Sequence, residues 1–243
     1  NRFILDYTKN YQAARKTAAT QLMVINLICK YAVAYGYIES NPARDLSVPK
    51  GLKKEKRPMP SPEDIQRVKD SINLTFGLFA YMALYTGCRR GELLALTWED
   101  IDFQTKSITI NKSVYHTGSQ PALKSTKTEA AHRKLPLLSK LEDQLEPRKS
   151  KGLIFHNDDG EYLTNSQCRY LWGQYQKEAH INITVHQLRH AYATMLYENE
   201  IPAKDAQNLL GHAQLSTTMD IYTEIRERHA AEVRKKLLEV DIV

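Results

Sequence analysis

Cysteine is scarce in this chain. Cys29, Cys88 and Cys168 are the only three among 243 residues, and they show neither metal-ligand nor redox spacing. That excludes a disulfide framework and a thiolate metal cluster, and it leads to the expectation of a reduced, cytoplasmic compartment with each thiol a small buried side chain. Long hydrophobic runs are missing too. No stretch reaches the roughly 18 uninterrupted apolar residues of a membrane span, and no signal peptide is visible, so no membrane partner is expected. There is no internal repeat or low-complexity tract. Asn1 stands where an initiator Met would, so the sequence is expected to be a piece of a longer protein. These absences leave the expectation of a soluble globular chain with room for one large domain or two smaller ones.

What is present is positive charge, unevenly placed. The formal charge is +6. Residues 1–60 hold eleven Lys or Arg against four Asp or Glu, a net of +7, which leaves 23 against 24, or −1, for residues 61–243. A compact basic segment attracts phosphate backbones by counterion release, although a solvated lysine-rich surface has the same composition.

Apolar residues recur at helical intervals between Thr8 and Tyr35 (Leu22, Ile25, Ile28, Cys29, Ala32), which predicts one helix or two end to end, stopped at Gly36. The text ESNPARDLSVPKGLKKEKRPMPSP then carries five prolines and the run Lys53, Lys54, Lys56, Arg57, and reads as a stiff, basic linker. A domain boundary is placed there, giving residues 1–57 and 58–243. Ser61, Pro62 and Asp64 signal a helix start, with the helix running to about Asp70. Leu74 to Tyr85 reads as a buried helix, and CRRGELLALTWEDIDF as a short one. Alternation predicts strands over Ser107 to Val114 and His132 to Leu138, in a small antiparallel sheet with Lys127 near a hairpin turn. Thr164 caps a helix reaching about Glu178. Further helices are expected at about 184–199, 203–210 and 216–224, with a separate amphipathic tail carrying Ala230, Val233, Leu237 and Leu238. The fold class is therefore mainly α with a small antiparallel β-sheet.

The chemistry concentrates between Thr184 and Thr223. His186, Arg189 and His190 stand at i, i+3 and i+4, so one helix face carries all three. His212 and Tyr222 follow ten residues apart. Cleaving a phosphodiester without hydrolysis requires a nucleophile, fixed cations on the non-bridging oxygens and an acid for the departing oxygen. Arg89 and Arg189 suit the cationic clamp, since guanidinium stays charged and grips two oxygens. Lys127, His186 and His212 can exchange protons. Tyr222 can attack once cations stabilise its anion. Taken singly, each has an ordinary account: Arg89 paired with Glu92, Lys127 in a solvated turn, the histidines as structural groups, and Tyr222 as one of 14 tyrosines. The ordered combination carries the argument.

That combination resembles the tyrosine recombinases, the family of phage and conjugative-transposon integrases and chromosome-dimer resolvases. The resemblance runs from Pro58 onward on TGCRRGELLALTWEDIDF, KTEAAHRKLPL, HQLRHAYAT, LGH and TTMDIYTEI. It implies Tyr222 as the nucleophile of a 3′-phosphotyrosyl link, Arg89 and Arg189 on the scissile phosphate, and His186 and His212 in proton handling and phosphate binding. It implies Lys127 as the acid for the 5′ oxygen, with Lys124 its nearest rival, and supporting places for Glu92 and His190. Residues 1–57 then correspond to the later part of a helical core-binding domain, with Lys53, Lys54, Lys56 and Arg57 as DNA contacts. Double-stranded recombination sites, a homotetramer exchanging C-terminal helices, accessory excision or DNA-bending proteins and a bacterial, nucleoid-associated location are implied as well. No metal or other cofactor is expected, because the phosphotyrosyl bond conserves the phosphodiester. Arg90 is more basic than relatives usually show, and Glu224 stands where histidine is frequent.

Two other classes compete. His186 and His190 have the i, i+4 spacing of a zinc helix with His212 as a third ligand, but Gln187 replaces the activating glutamate and Arg189 sets positive charge beside the metal. Residues 203–222 also read as a helix-turn-helix of a DNA-binding regulator, which has no use for Tyr222 among two arginine motifs. A type IB topoisomerase shares the adduct chemistry, but the chain length and motif text argue against it.

Overall fold

The computed structural model describes residues 2–53, 59–125 and 132–239. Lys54, Lys56, Arg57 and Lys127 lie outside the described residues. The chain divides into two compact units, Asn1–Pro58 and Met59–Val243.

In the first unit the predicted helical stretch is two helices, α1 (Arg2–Asn10) and α2 (Arg15–Ala34), parted where Gln12 takes a positive φ of 46°. Ile4, Thr8, Ala18, Leu22 and Ala43 form its small interior. The expected stripe is covered at Leu22 but not at Ile28, and Met23, Val24, Leu27 and Tyr31 are exposed beside it. A unit of this size has too little surface of its own to cover a 20-residue apolar helix. By length and mean hydropathy, 1.3 over 18 residues, α2 alone among the described residues is apolar enough to cross a membrane, although Gln21, Asn26 and Lys30 interrupt it. Lys53 is exposed, and its carbonyl accepts the Arg15 N–H at 3.1 Å.

The second unit begins with α3 (Pro62–Asp70), whose Ser61 and Asp64 form a reciprocal capping box. α4 (Gly77–Thr86) starts later than Leu74 because residues 71–76 form a turn, in which the Gly77 N–H reaches the Leu74 carbonyl. Its sequence, GLFAYMALYT, is apolar on every side, so it lies at the centre of the core. A short α5 (Arg90–Ala95) follows.

Five strands follow as β1 (Ile101–Asp102), β2 (Ser107–Ile110), β3 (Lys112–Thr117), β4 (Gln120–Ser125) and β5 (Arg133–Pro136). They form two antiparallel sheets rather than one, β1-β2-β5 and the hairpin β3-β4. The predicted strand Ser107 to Val114 breaks at Asn111: Ile108 and Ile110 bury one face of β2, whereas β3 turns away into the hairpin. α6 (Ser139–Leu145) is an addition to the expected elements. α7 (Asn165–Glu178) starts at a Thr164 and Gln167 capping box.

Three helices complete the unit: α8 (Val185–Glu198), α9 (Ala203–Leu210) and α10 (Leu215–Glu239). The helix expected to end near 224 and the separate tail are one 25-residue helix, since no Gly or Pro falls between Leu215 and Glu239 to interrupt it. Its far end is not packed at home: Val233, Leu237 and Leu238 are 55%, 58% and 78% exposed. The main core runs from Val68 through α4, α5 and the sheet to α7 and α8, each large side chain contributing about 1.5–3 kcal/mol by leaving water. A second cluster joins Tyr192, Leu196, Leu210, Tyr222 and Ile225 on α8, α9 and α10.

Candidate active site

The site forms where α9 ends. Gly211 caps α9 in the left-handed conformation, φ 65°, and the Gly211 and His212 N–H groups satisfy the carbonyls of Asn208 and Gln207. The next three carbonyls have no partner within the helix. Arginines from three separate elements supply them. Arg133 Nε on β5 donates to Leu209 O at 2.8 Å, Arg189 Nη2 on α8 to Leu210 O at 2.6 Å, and Arg89 Nη2, just before α5, to Gly211 O at 2.7 Å. Arg189 also donates through Nη1 to Gly87 O at 2.7 Å, the left-handed cap of α4. The negative ends of two helices thus hold one buried guanidinium.

Glu92 is the only carboxylate bonded into this group among the described residues. It is buried and accepts from the Arg89 backbone N–H at 2.9 Å, from Arg89 Nη1 at 2.8 Å, and from Arg133 Nη2 and Nη1 at 2.8 and 3.2 Å. Burial would raise its pKa, but the hydrogen bond and charge of Arg133, then those of Arg89, outweigh that and hold it at about 2. Glu92 therefore stays ionised. Burial works against the charge on Arg133 as well, but the Glu92 hydrogen bond wins and its pKa is raised. Arg189, bonded only to carbonyls, is pushed down to about 10 by burial and then by the neighbouring charge of Arg89. Three cations against one anion leave a local excess of two positive charges, and the buried Arg189 bears its cost. Such a site is built for an anion.

α8 presents the histidines. The Thr184 and Gln187 capping box starts it, and the next turn projects His186, Arg189 and His190 as the spacing predicts. The Nε2 atoms of His186 and His190 are 3.1 Å apart with the rings perpendicular, so one donates and the other accepts. Burial lowers the pKa of His190, with Glu224 opposing and Arg189 assisting. His212 follows the Gly211 cap, and its Nδ1 lies 2.9 Å from Thr218 Oγ1. Its pKa falls to about 4, through burial first and then the charges of Arg189 and Arg89, so it is neutral near pH 7.

Tyr222 stands apart from the cations. Its hydroxyl donates to Ile201 O at 3.0 Å, and its ring packs edge-on against Tyr197 at 5.1 Å. Burial raises the phenol's pKa. The structure thus joins Arg89, Glu92, Arg189 and His212 in one network and keeps the Tyr222 oxygen occupied on the Ile201 carbonyl.

Arg133, Gln207 and Thr218 belong to the network but not to the sequence-derived set. Arg133 carried a signal, an arginine on the inward face of β5 beside Leu135. Gln207 Nε2 holds His212 O at 3.0 Å, and only the folded turn reveals it. Among the described residues no three His, Cys, Asp or Glu side chains gather as a metal site. Cys88 and Cys168 are buried free thiols, as expected, while Cys29 is half-buried. Burial pushes Cys88 to about 11 despite the adjacent Arg133.

Residues 63–229 match the model of the phage integrase family. Among curated relatives, tyrosine recombinase XerA of Pyrococcus furiosus is 31% identical over 241 residues, covering 88% of this chain and 75% of that protein. A XerC-like tyrosine recombinase of Caldanaerobacter subterraneus is 27% identical over 261 residues, and the alignment covers 90% of this chain but only 65% of that relative's length. The Tn1549 transposon integrase in complex with transposon right-end DNA superimposes with a TM-score of 0.76 at 18% identity, covering 96% of this chain and 84% of that one, a likeness of fold. The family match over most of the second unit, together with the XerA identity, establishes that this chain belongs to the phage integrase family.

Proposed function

We propose that the chain is the strand-cleaving part of a site-specific DNA recombinase, acting on duplex recombination sites through a 3′-phosphotyrosyl intermediate. One observation carries the reading: three arginines fixed on the end of α9 with a single carboxylate, which leaves a preformed place for a phosphodiester. Arg89 and Arg189 bind the non-bridging oxygens, Glu92 holds Arg89 in place, and His212 and His186 receive or donate protons at the phosphate, with His190 steadying His186. The Tyr222 oxygen loses its proton and bonds to phosphorus as the 5′-oxygen bond breaks. That leaving oxygen takes a proton from Lys127. Attack by a 5′-hydroxyl reverses these bonds, so no metal or nucleotide is consumed. For attack, the Tyr222 hydroxyl must exchange the Ile201 carbonyl for the phosphate, which requires movement of α10.

Residues 1–57 are assigned to DNA binding as part of a core-binding domain, with Lys53, Lys54, Lys56 and Arg57 on the backbone. A homotetramer on DNA is the expected assembly, in which Val233, Leu237 and Leu238 of one copy dock on the next. Accessory excision or DNA-bending proteins would act on that assembly. The test is denaturing electrophoresis after incubation with nicked recombination-site DNA in excess chelator. A protein band carrying covalent DNA, lost in Tyr222→Phe, is the expected result; a zinc requirement or an adduct in Tyr222→Phe overturns the reading.

A further inference from the structure

The imidazole of His212 is held from the helix that bears Tyr222. Its Nδ1 lies 2.9 Å from Thr218 Oγ1, and Thr218, in the first turn of α10, is wholly buried. Thr218 and Tyr222 are four residues apart, hence on one face of α10. The remaining bonds of His212 are made by its backbone, whose N–H donates to Gln207 O and whose carbonyl accepts from Gln207 Nε2. Gln207 therefore fixes where residue 212 sits, and the Thr218 hydroxyl fixes how the ring is turned. A carbonyl at that point would force a proton onto Nδ1, and a carboxylate would favour imidazolium. A hydroxyl donates to a bare Nδ1 and accepts from a protonated one, so it keeps the ring oriented in either state while Nε2 exchanges a proton.

We propose that Thr218 is a positioning residue for His212, coupling the orientation of the imidazole at the phosphate site to the seating of the nucleophile's helix. This rests on the reading above that His212 acts at the scissile phosphate. When α10 moves to deliver Tyr222, its first turn must stay in register with the α9 cap for the ring to remain aimed.

The experiment is single-turnover cleavage of nicked recombination-site DNA by the intact chain, with DNA affinity measured alongside. Thr218→Val should slow adduct formation about fivefold or more with affinity unchanged, and Thr218→Ser should stay within about twofold of the parent. In a His212→Ala background Thr218→Val should cost nothing further, because the hydroxyl then has no ring to orient. A full-speed Thr218→Val, or an equal loss in the His212→Ala background, overturns the proposal. Should Thr218→Val fail to fold, Thr218→Ser and Thr218→Ala, which differ by the hydroxyl alone, decide it in the same way. A parent chain that forms no adduct, or one that forms it without Tyr222, overturns the reading of the site instead.

Discussion

Arg89 and Arg189 donate to consecutive backbone carbonyls, Gly211 and Leu210, at 2.7 and 2.6 Å. One guanidinium comes from the start of α5 and the other from the second turn of α8, and neither finds the other except through the last residues of α9. The helix end serves as a template. Its unsatisfied carbonyls set the spacing of two cations that would repel one another in water, and Glu92 relieves only Arg89 and Arg133.

Arg189→Lys should keep the charge and lose the fork, because an ammonium cannot span Leu210 O and Gly87 O while facing a phosphate. Cleavage of nicked DNA is expected to fall about 10²–10³-fold with affinity changed little, as for loss of one oxyanion donor. Rate and binding measured side by side check this; a matched loss in both would make Arg189 a general DNA contact.

Glu92→Gln leaves Arg133 buried beside two other cations without its partner. Breaking a buried pair in this way costs roughly 3–5 kcal/mol, so urea unfolding should show a large drop in midpoint. Restoring stability by adding Arg133→Met would identify the unpaired charge as the cause.

Acid should weaken the fold in two windows. His212 is held at about 4 against an ordinary 6.5, so the unfolded chain binds its proton first, and stability present above pH 6.5 is lost as pH falls toward 4. Glu92, at about 2 against 4.5, contributes stability above pH 4.5 that is lost as pH falls toward 2. Unfolding midpoints from pH 8 to 3 in His212→Gln should show a shallower first decline, the remainder coming from His190, whose pKa burial also lowers, and keep the start of the second.

Gly87→Ala should destabilise the unit by more than about 1 kcal/mol. Gly87 sits at φ +61°, and a Cβ there would come within 2.3 Å of the Tyr192 ring. The Gly87 carbonyl also anchors Arg189. Thermal unfolding tests the first effect and adduct formation the second, and both should decline together.

Tyr222→Phe should abolish covalent attachment while sparing DNA binding. Because the Tyr222 hydroxyl satisfies Ile201 O, its removal should also cost about 1 kcal/mol of stability. An unchanged unfolding midpoint would place the hydroxyl off that carbonyl in solution.

The local elements were legible wherever a cap and a period agreed. Ser61 with Asp64 and Thr164 start helices as their residue patterns foretell, and the uniformly apolar stretch before Gly87 is a buried helix, though one that starts at Gly77 rather than Leu74. The misplacements have separate causes. Asn111 divides a strand because its two halves pair with different neighbours, and the final helix runs on through residues that looked like a separate tail.

For the site, sequence alone supplied the candidates Arg89, Arg189, His186, His190, His212 and Tyr222, and the placing of Arg189 on one helix face with two histidines. The fold decided their arrangement. Three unpaired carbonyls at the end of α9 choose Arg133 as the third cation, burial and the neighbouring arginines keep His212 neutral, and the Ile201 carbonyl takes the Tyr222 hydroxyl. Side-chain identity follows from the residue itself, but charge state and reach depend on the dielectric and on backbone groups distant along the chain, and these exist only once α4, α8, α9 and α10 have packed.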